Sequence, residues 1–191
     1  MTKSTEHLEA LLSFTKEKSF LSKEFLTWLW YSIEETGGEF TIDAGEETTV
    51  VDMWIDDKMT LESNESNVLK QSLKGGSPST SIEATTALNL GKFVSELRIG
   101  ANANDREYSF TLGAKDLTPR AIKLQASSEK TEHDEDHLEF RIQEIKFVLR
   151  VVDSLFTQFL NTRTQSSWQN VELENIKDWI QHRGQGEVTF H

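Results

Sequence analysis

The chain has 191 residues, no cysteine, 20 lysines and arginines and 32 aspartates and glutamates, for a formal net charge of −12. That length can bury a core without covalent staples, and the missing cysteine excludes disulfides, thiolate metal sites and cysteine nucleophiles. No apolar run reaches the roughly 18 residues of a membrane span and the first residues lack a signal-peptide pattern, so the expectation is a soluble protein of a reducing cytosol.

In chain order, residues 4–16 place Leu8, Leu11, Leu12 and Phe14 at the spacing of a short amphipathic helix. Residues 22–35 predict a second helix, with Ser22 as its N-cap and Gly37-Gly38 as its stop. Phe25, Leu26, Leu29 and Ile33 share one face of it and Trp28 and Trp30 broaden that face, so it must be buried. Strands follow at 39–43 and 48–62, joined by a loop at 43–47, and the alternation of the second slips near Asp56-Asp57, as a bulge would make it do. Residues 68–73 predict a further strand. After the break at Gly75-Gly76-Ser77-Pro78, Ser81 or Thr80 caps a short helix that Gly91 stops.

Residues 92–99 alternate, with Phe93, Ser95, Leu97 and Ile99 on one side, and 106–112 place Tyr108, Phe110 and Leu112 together. The turn at 102–105 makes these the strongest hairpin of the chain. A last strand is expected at 121–124, then a charged, apolar-poor link at 127–136. From His137 to Thr162, Leu138, Ile142, Ile145, Val148, Leu149, Val152, Leu155, Phe156 and Phe159 keep a helical period, and 173–180 predict a final short helix. The expected fold is α+β: an antiparallel sheet in the middle of the chain, packed by the N-terminal Trp-rich helix and the long C-terminal helix. Residues 1–165 form that domain, and 166–191 add a short helix and tail.

Charge is unevenly placed. Residues 66–125 hold eight basic and five acidic side chains, a net of +3, which leaves −15 for the rest of the chain. Opposite charges in separate blocks predict a bipolar molecule. The eight are Lys70, Lys74, Lys92, Arg98, Arg106, Lys115, Arg120 and Lys123. Lys92, Arg98 and Arg106 lie on or beside adjacent strands and the others extend them into one stripe, a surface that attracts phosphates without sequence preference. The plain alternative is a set of solvent-facing side chains on a half-exposed sheet.

Catalytic and metal patterns are weak. His133-Asp134-Glu135-Asp136-His137 has two histidines four apart, but a solvated link opening a helix explains the run. Asp52, Asp56 and Asp57 with Lys58, or Asp105 and Glu107 with Lys115, would begin a metal-dependent nuclease site, though neither has a distinctive spacing. No nucleophile elbow and no phosphate-binding glycine loop ending in Lys-Ser or Lys-Thr occurs. The reading is therefore non-catalytic, without cofactor or metal.

The order of motifs resembles the C-terminal part of the bacterial recombination-associated RdgC family. The residues that carry it are Glu24-Phe-Leu-Thr-Trp-Leu-Trp30 followed by Gly37-Gly38, Leu73-Lys-Gly-Gly76, and Gly91-Lys92 with Val94, Leu97 and Ile99. Arg106, Phe110 and Leu112, then Ile122-Lys123-Leu124 and the striped helix from His137, complete it over roughly residues 20–160. The resemblance implies an α+β, DNA-associated protein of the cytoplasm and nucleoid that binds DNA with little sequence preference and modulates recombination or replication. Members of the family are described as dimers that ring duplex DNA, with an acidic exterior and a positive lining, and that restrain the RecA recombinase. At matched positions it nominates Lys92, Arg106 and Lys123. Lys70, Lys74, Arg98, Lys115 and Arg120 rest on charge alone. The family's N-terminal region has no counterpart here, so the expected partners are DNA and a second copy or a companion subunit. The alternative is an acidic interaction module or DNA mimic that binds a partner protein, motivated by Glu34-Glu35, Glu46-Glu47, Asp56-Asp57 and residues 134–136.

Overall fold

A computed structural model describes residues 21–43, 48–63, 70–124 and 134–183, the side chains of 134–137 excepted. The sheet is built on one long strand, β2 (Thr48–Glu62). β1 (Glu39–Asp43) and β3 (Gln71–Lys74) pair with one side of it in succession, and β4 (Phe93–Ala103) pairs with the other. β5 (Arg106–Gly113) and β6 (Arg120–Leu124) continue outward, giving the order β1-β2-β4-β5-β6 with every pair antiparallel. β4 and β5 meet in a two-residue turn, Asn104-Asp105, with φ of 51° and 61°. This is the turn whose twist suits a tight hairpin, and Asn and Asp tolerate the left-handed conformation it requires.

Alternation decides the rest. Phe40, Ile42, Val51, Met53, Ile55, Met59, Leu61, Val94, Leu97, Ile99, Tyr108, Phe110 and Leu112 are buried on one face. Helices cover that face: α1 (residues 21–35), α2 (Ile82–Asn89), α3 (Asp134–Arg163) and α4 (Leu173–His182). Phe25 of α1 meets Phe156 and Phe159 of α3 with ring centroids 5.2 and 5.6 Å apart, and Trp28 meets Phe159 at 5.5 Å. Trp168, in a π-helical turn Trp168–Glu172, packs edge-on against Phe159. Each such ring buries enough apolar surface to stabilise the fold by about 2–3 kcal/mol.

α4 closes over α1. Trp30 and Trp179 cross at 5.1 Å, and both indole N–H groups donate to Glu34, at 2.8 and 3.0 Å. Arg183 lies over both indoles, pairs with Glu34 and donates to the carbonyl of Ser79. Burial pushes its guanidinium down to about 10, which still leaves it charged at neutral pH. Trp168 and Ile176, both beyond residue 165, thus belong to the same core as the sheet.

The architecture agrees with the sequence expectation, with local corrections. Ser22 lies inside α1 and is buried, so it is not the cap. The slip at Asp56-Asp57 is real: Ile55 pairs with Ile99 but Met59 with Leu97, which leaves two extra residues on β2. A second shift was missed. Thr60 pairs with Glu96 and Leu61 with Val94, so Ser95 is an extra residue in β4. A bulge of one residue reverses the faces on its far side. Val94 is buried in consequence, and Phe93, expected on the same side as Leu97 and Ile99, faces the other way with Glu62 as its partner. The expected strand at 68–73 is observed as β3, with 64–69 outside the described residues. The helix expected at 4–16 also lies outside them, as do residues 44–47 of the loop expected at 43–47 and 127–133 of the link expected at 127–136, whereas 134–136 already belong to α3.

Gly38 gives a sharp check on this packing. Its φ is +89°, and a Cβ there would sit 2.2 Å from the carbonyl oxygen of Met53, whereas Gly37, at φ +68°, has open space around it. Gly38→Ala is expected to cost at least about 2 kcal/mol, and Gly37→Ala only about 1 kcal/mol. Urea unfolding of the two variants measures the difference, and equal losses would contradict the close approach of this turn to β2.

Candidate nucleic-acid interface

The face of the sheet opposite the helices carries its side chains in rows set by strand register. At one end Glu39, Asp52, Asn102 and Glu107 are successive partners across β1, β2, β4 and β5, and all four are exposed. The next row is Trp54, Gly100, Ser109 and Lys123. Trp54 lies across Gly100, where a Cβ would be 2.1 Å from the indole, so glycine makes room for the ring. Arg98, Thr111 and Arg120 follow.

Arg98 is held by the β2 bulge. Its Nε donates to Asp56 Oδ2 at 3.0 Å and to Ser109 Oγ at 3.1 Å, with Asp57 Oδ1 at 3.4 Å. Ser109 Oγ also donates to Asp56, at 3.1 Å. Burial pushes the Asp56 carboxyl up, but the Arg98 and Ser109 hydrogen bonds outweigh it and leave it below the ordinary aspartate range.

At the far end of this face lies a groove of about 640 Å³. Its rim carries Lys23, Lys58, Lys70, Lys74, Lys115 and Arg120, against two carboxylates, Glu62 and Glu96. Thr60, Ser72 and Ser95 line it between them, and Phe93 lies under Lys23, whose Nζ is 3.8 Å from the ring centroid. Lys58 pairs with Glu96 at 2.5 Å and Lys70 with Glu62 at 2.7 Å, which raises the Lys70 ammonium. Arg120 holds Asp116 at 2.7 Å, just outside the groove, and depresses its carboxyl. With Asp116 counted, six cations face three carboxylates, so the groove stays positive by three. Lys74 and Lys115 have no ion-pair partner among the described residues.

The eight basic residues singled out in the sequence do not form one stripe. Lys70, Lys74, Lys115 and Arg120 converge on the groove. Arg98 stands behind it, committed to Asp56, and Lys123 lies in the Trp54 row. Lys92 donates to Gln71 at 3.1 Å and borders a separate, smaller crevice between α1, α2 and α4. Arg106 points to the helix side, where the buried Glu144 of α3 takes it at 2.5 Å and also accepts from Tyr108 at 2.6 Å. That burial and hydrogen bond push the Tyr108 phenol well up. Lys23 was missed, and Lys58 was named only beside the aspartates of β2 rather than with the basic set. Lys58 had a signal in the polar phase of β2, shared with Thr60 and Glu62, whereas only tertiary packing brings Lys23 of α1 to Phe93.

The acidic sets are separated as well. Asp52 and Asp56 flank Trp54 along β2, and Asp56 is tied to Arg98. Asp105 and Glu107 stand at one end of β5 and Lys115 beyond the other. No group of three or more metal-type ligands converges among the described residues, and the run His133 to His137 has no described side chain. Among the described residues, no helix is long and apolar enough to cross a membrane.

Comparison with protein-family models, with curated proteins and with solved structures finds no match to this chain.

The Arg98–Asp56 contact has a definite sign with pH. A carboxyl held low in the fold stabilises it fully above its unfolded pKa of about 3.9, and the contribution is lost as pH falls through the lower folded value. Arg98→Ala removes the charged partner and leaves burial opposed only by the hydrogen bonds from Ser109 and the Asp57 backbone, so Asp56 should then titrate above its wild-type midpoint. Carboxyl carbon NMR follows this directly; a midpoint that does not move would contradict the pairing.

Proposed function

We propose that the groove at the Lys58–Lys74–Lys115 end of the sheet binds the phosphate backbone of DNA without sequence preference, in the control of recombination or replication. The observation that carries this reading is the convergence of six cations from α1, β2, β3 and the residue before it, the β5–β6 connection and β6 onto one concave, hydroxyl-lined surface of an otherwise acidic chain. Its ion pairs do not stand in the way, because exposed pairs are worth about 0–1 kcal/mol. Phosphate can take the place of Glu62, Glu96 or Asp116 at little cost, and counterion release then favours binding at low salt. Phe93 holds the Lys23 ammonium over its ring at the edge of the groove, which aims that charge toward a bound phosphate. The sequence resemblance to the RdgC family supports the same class of partner.

A second reading has its own observation. Glu39, Asp52 and Glu107 put three carboxylates in one exposed row, the first two one strand separation of about 4.8 Å apart and the last two separations beyond, with Asn102 between. Such a row suits a basic protein partner, as an acidic interaction module or DNA mimic would need.

Gel-shift and anisotropy titrations of duplex and single-stranded DNA at low salt separate the two. Lys74→Glu with Lys115→Glu is expected to weaken binding at least about tenfold. It should also lower the salt slope by roughly 0.7–0.9 for each phosphate that is no longer neutralised. Arg150→Glu, on the solvent side of α3, should leave binding unchanged. No DNA association at low salt, or equal loss with Arg150→Glu, would overturn the groove assignment. Capture of a basic protein that depends on Glu39 and Asp52 would select the second reading.

A further inference from the structure

α3 carries two apolar stripes, and its own fold uses only one of them. Val148, Val151, Leu155 and Phe159 are buried against the sheet side. The second stripe is Leu138, Ile142, Ile145 and Leu149, exposed by 63%, 43%, 39% and 41%. Its spacing of four, three and four residues is that of a two-stranded coiled-coil seam. The same spacing runs on into Val152 and Phe156, which pack with the core. The seam therefore starts inside the protein and continues outward along the free half of the helix. Scattered single apolar side chains need no explanation, but four large aliphatics in register on one helix face do.

We infer that this seam pairs α3 with α3 of a second copy of the chain, in antiparallel orientation. The flanking charges choose both partner and direction. Glu139 and Lys146 border the seam on its solvent side, seven residues apart, and neither has an ion-pair partner among the described residues; Arg141 borders it on the other side. An antiparallel pair sets Leu138 against the second copy's Leu149 and Ile142 against its Ile145. Glu139 of each helix then meets Lys146 of the other, twice by the two-fold axis. A parallel pair would instead set Arg141 of each helix against Lys146 of the other, like against like. The sequence of charges is thus self-complementary in one orientation only. Because α3 lies on the covered side of the sheet, such a dimer leaves the basic groove of each copy open. The inference rests on a different surface from the DNA reading and stands or falls apart from it.

The exposed seam spans about 16 Å of helix, short for an obligate dimer, so association in the micromolar range is expected. Sedimentation equilibrium from about 5 to 500 μM should show a reversible monomer–dimer equilibrium. Ile142→Glu with Ile145→Glu should abolish it without a loss of thermal stability, since both side chains are exposed in the single chain. Glu139→Lys alone and Lys146→Glu alone should each weaken the dimer several-fold, and the two together should restore it. That restoration is a signature of the antiparallel register. The chain has no cysteine, so Leu138→Cys with Leu149→Cys gives clean crosslinks, expected to join position 138 of one copy to 149 of the other. A monomer throughout the concentration range, a dimer indifferent to the glutamates, or crosslinks between like positions would each overturn the proposal. A monomer that loses thermal stability with the glutamates would show instead that another segment of the same chain covers the seam.

Discussion

The contact of Phe25 and Trp28 in α1 with Phe156 and Phe159 in α3 holds two helices from distant parts of the chain on one face of the sheet. Everything else follows from that one-sidedness. Since apolar side chains alternate along β2, β4 and β5, covering one face completes the core and leaves the other to polar residues. The aromatic cluster also fixes the chain around it. Trp168 closes on Phe159, Trp179 closes on Trp30, and Glu34 answers the indoles and Arg183 together. Breaking the α1–α3 contact would open the aromatic cluster, leaving α3 tied to the sheet through Glu144 and α1 tied to α4 through Trp30 and Glu34.

On the open face, strand register converts a charge pattern that looks mixed in the sequence into an ordered gradient. Glu39, Asp52 and Glu107 collect at one end and the lysines of the groove at the other, with Trp54 and the Arg98–Asp56 pair between them. A net charge of −12 is therefore compatible with a locally cationic surface. The pairs Lys58–Glu96 and Lys70–Glu62 moderate that surface without cancelling it.

Much of the fold was legible in the sequence because its elements carry strong local signals. The bounds of β1 and β2 were read residue for residue, Ser81, one of two expected caps, caps α2, and Tyr108, Phe110 and Leu112 share the buried face of β5. What escaped was whatever depends on register between strands. The Ser95 bulge leaves no mark in composition, yet it puts Phe93 on the open face, opposite to Leu97 and Ile99. The same limit governed the site. Proximity in sequence joined Lys92, Arg98 and Arg106, but a hairpin end turned toward α3 gives Arg106 to Glu144, and the bulge at Asp56 holds Arg98. Lys23 could be placed only once α1 was packed. In α3 the helical period was plain, but a period alone cannot say which of two neighbouring stripes the sheet will bury.

The central claim is that the open face presents its cationic end to DNA. The most direct measurement is an amide chemical-shift titration of the isotope-labelled chain with a short DNA at low salt. The account predicts that shifts concentrate at Lys58, Ser72, Lys74, Ser95 and Lys115, fade toward Trp54, and reverse when salt is added. Shifts confined to α3 or to the Glu39–Glu107 row, or no shifts at all, would contradict it.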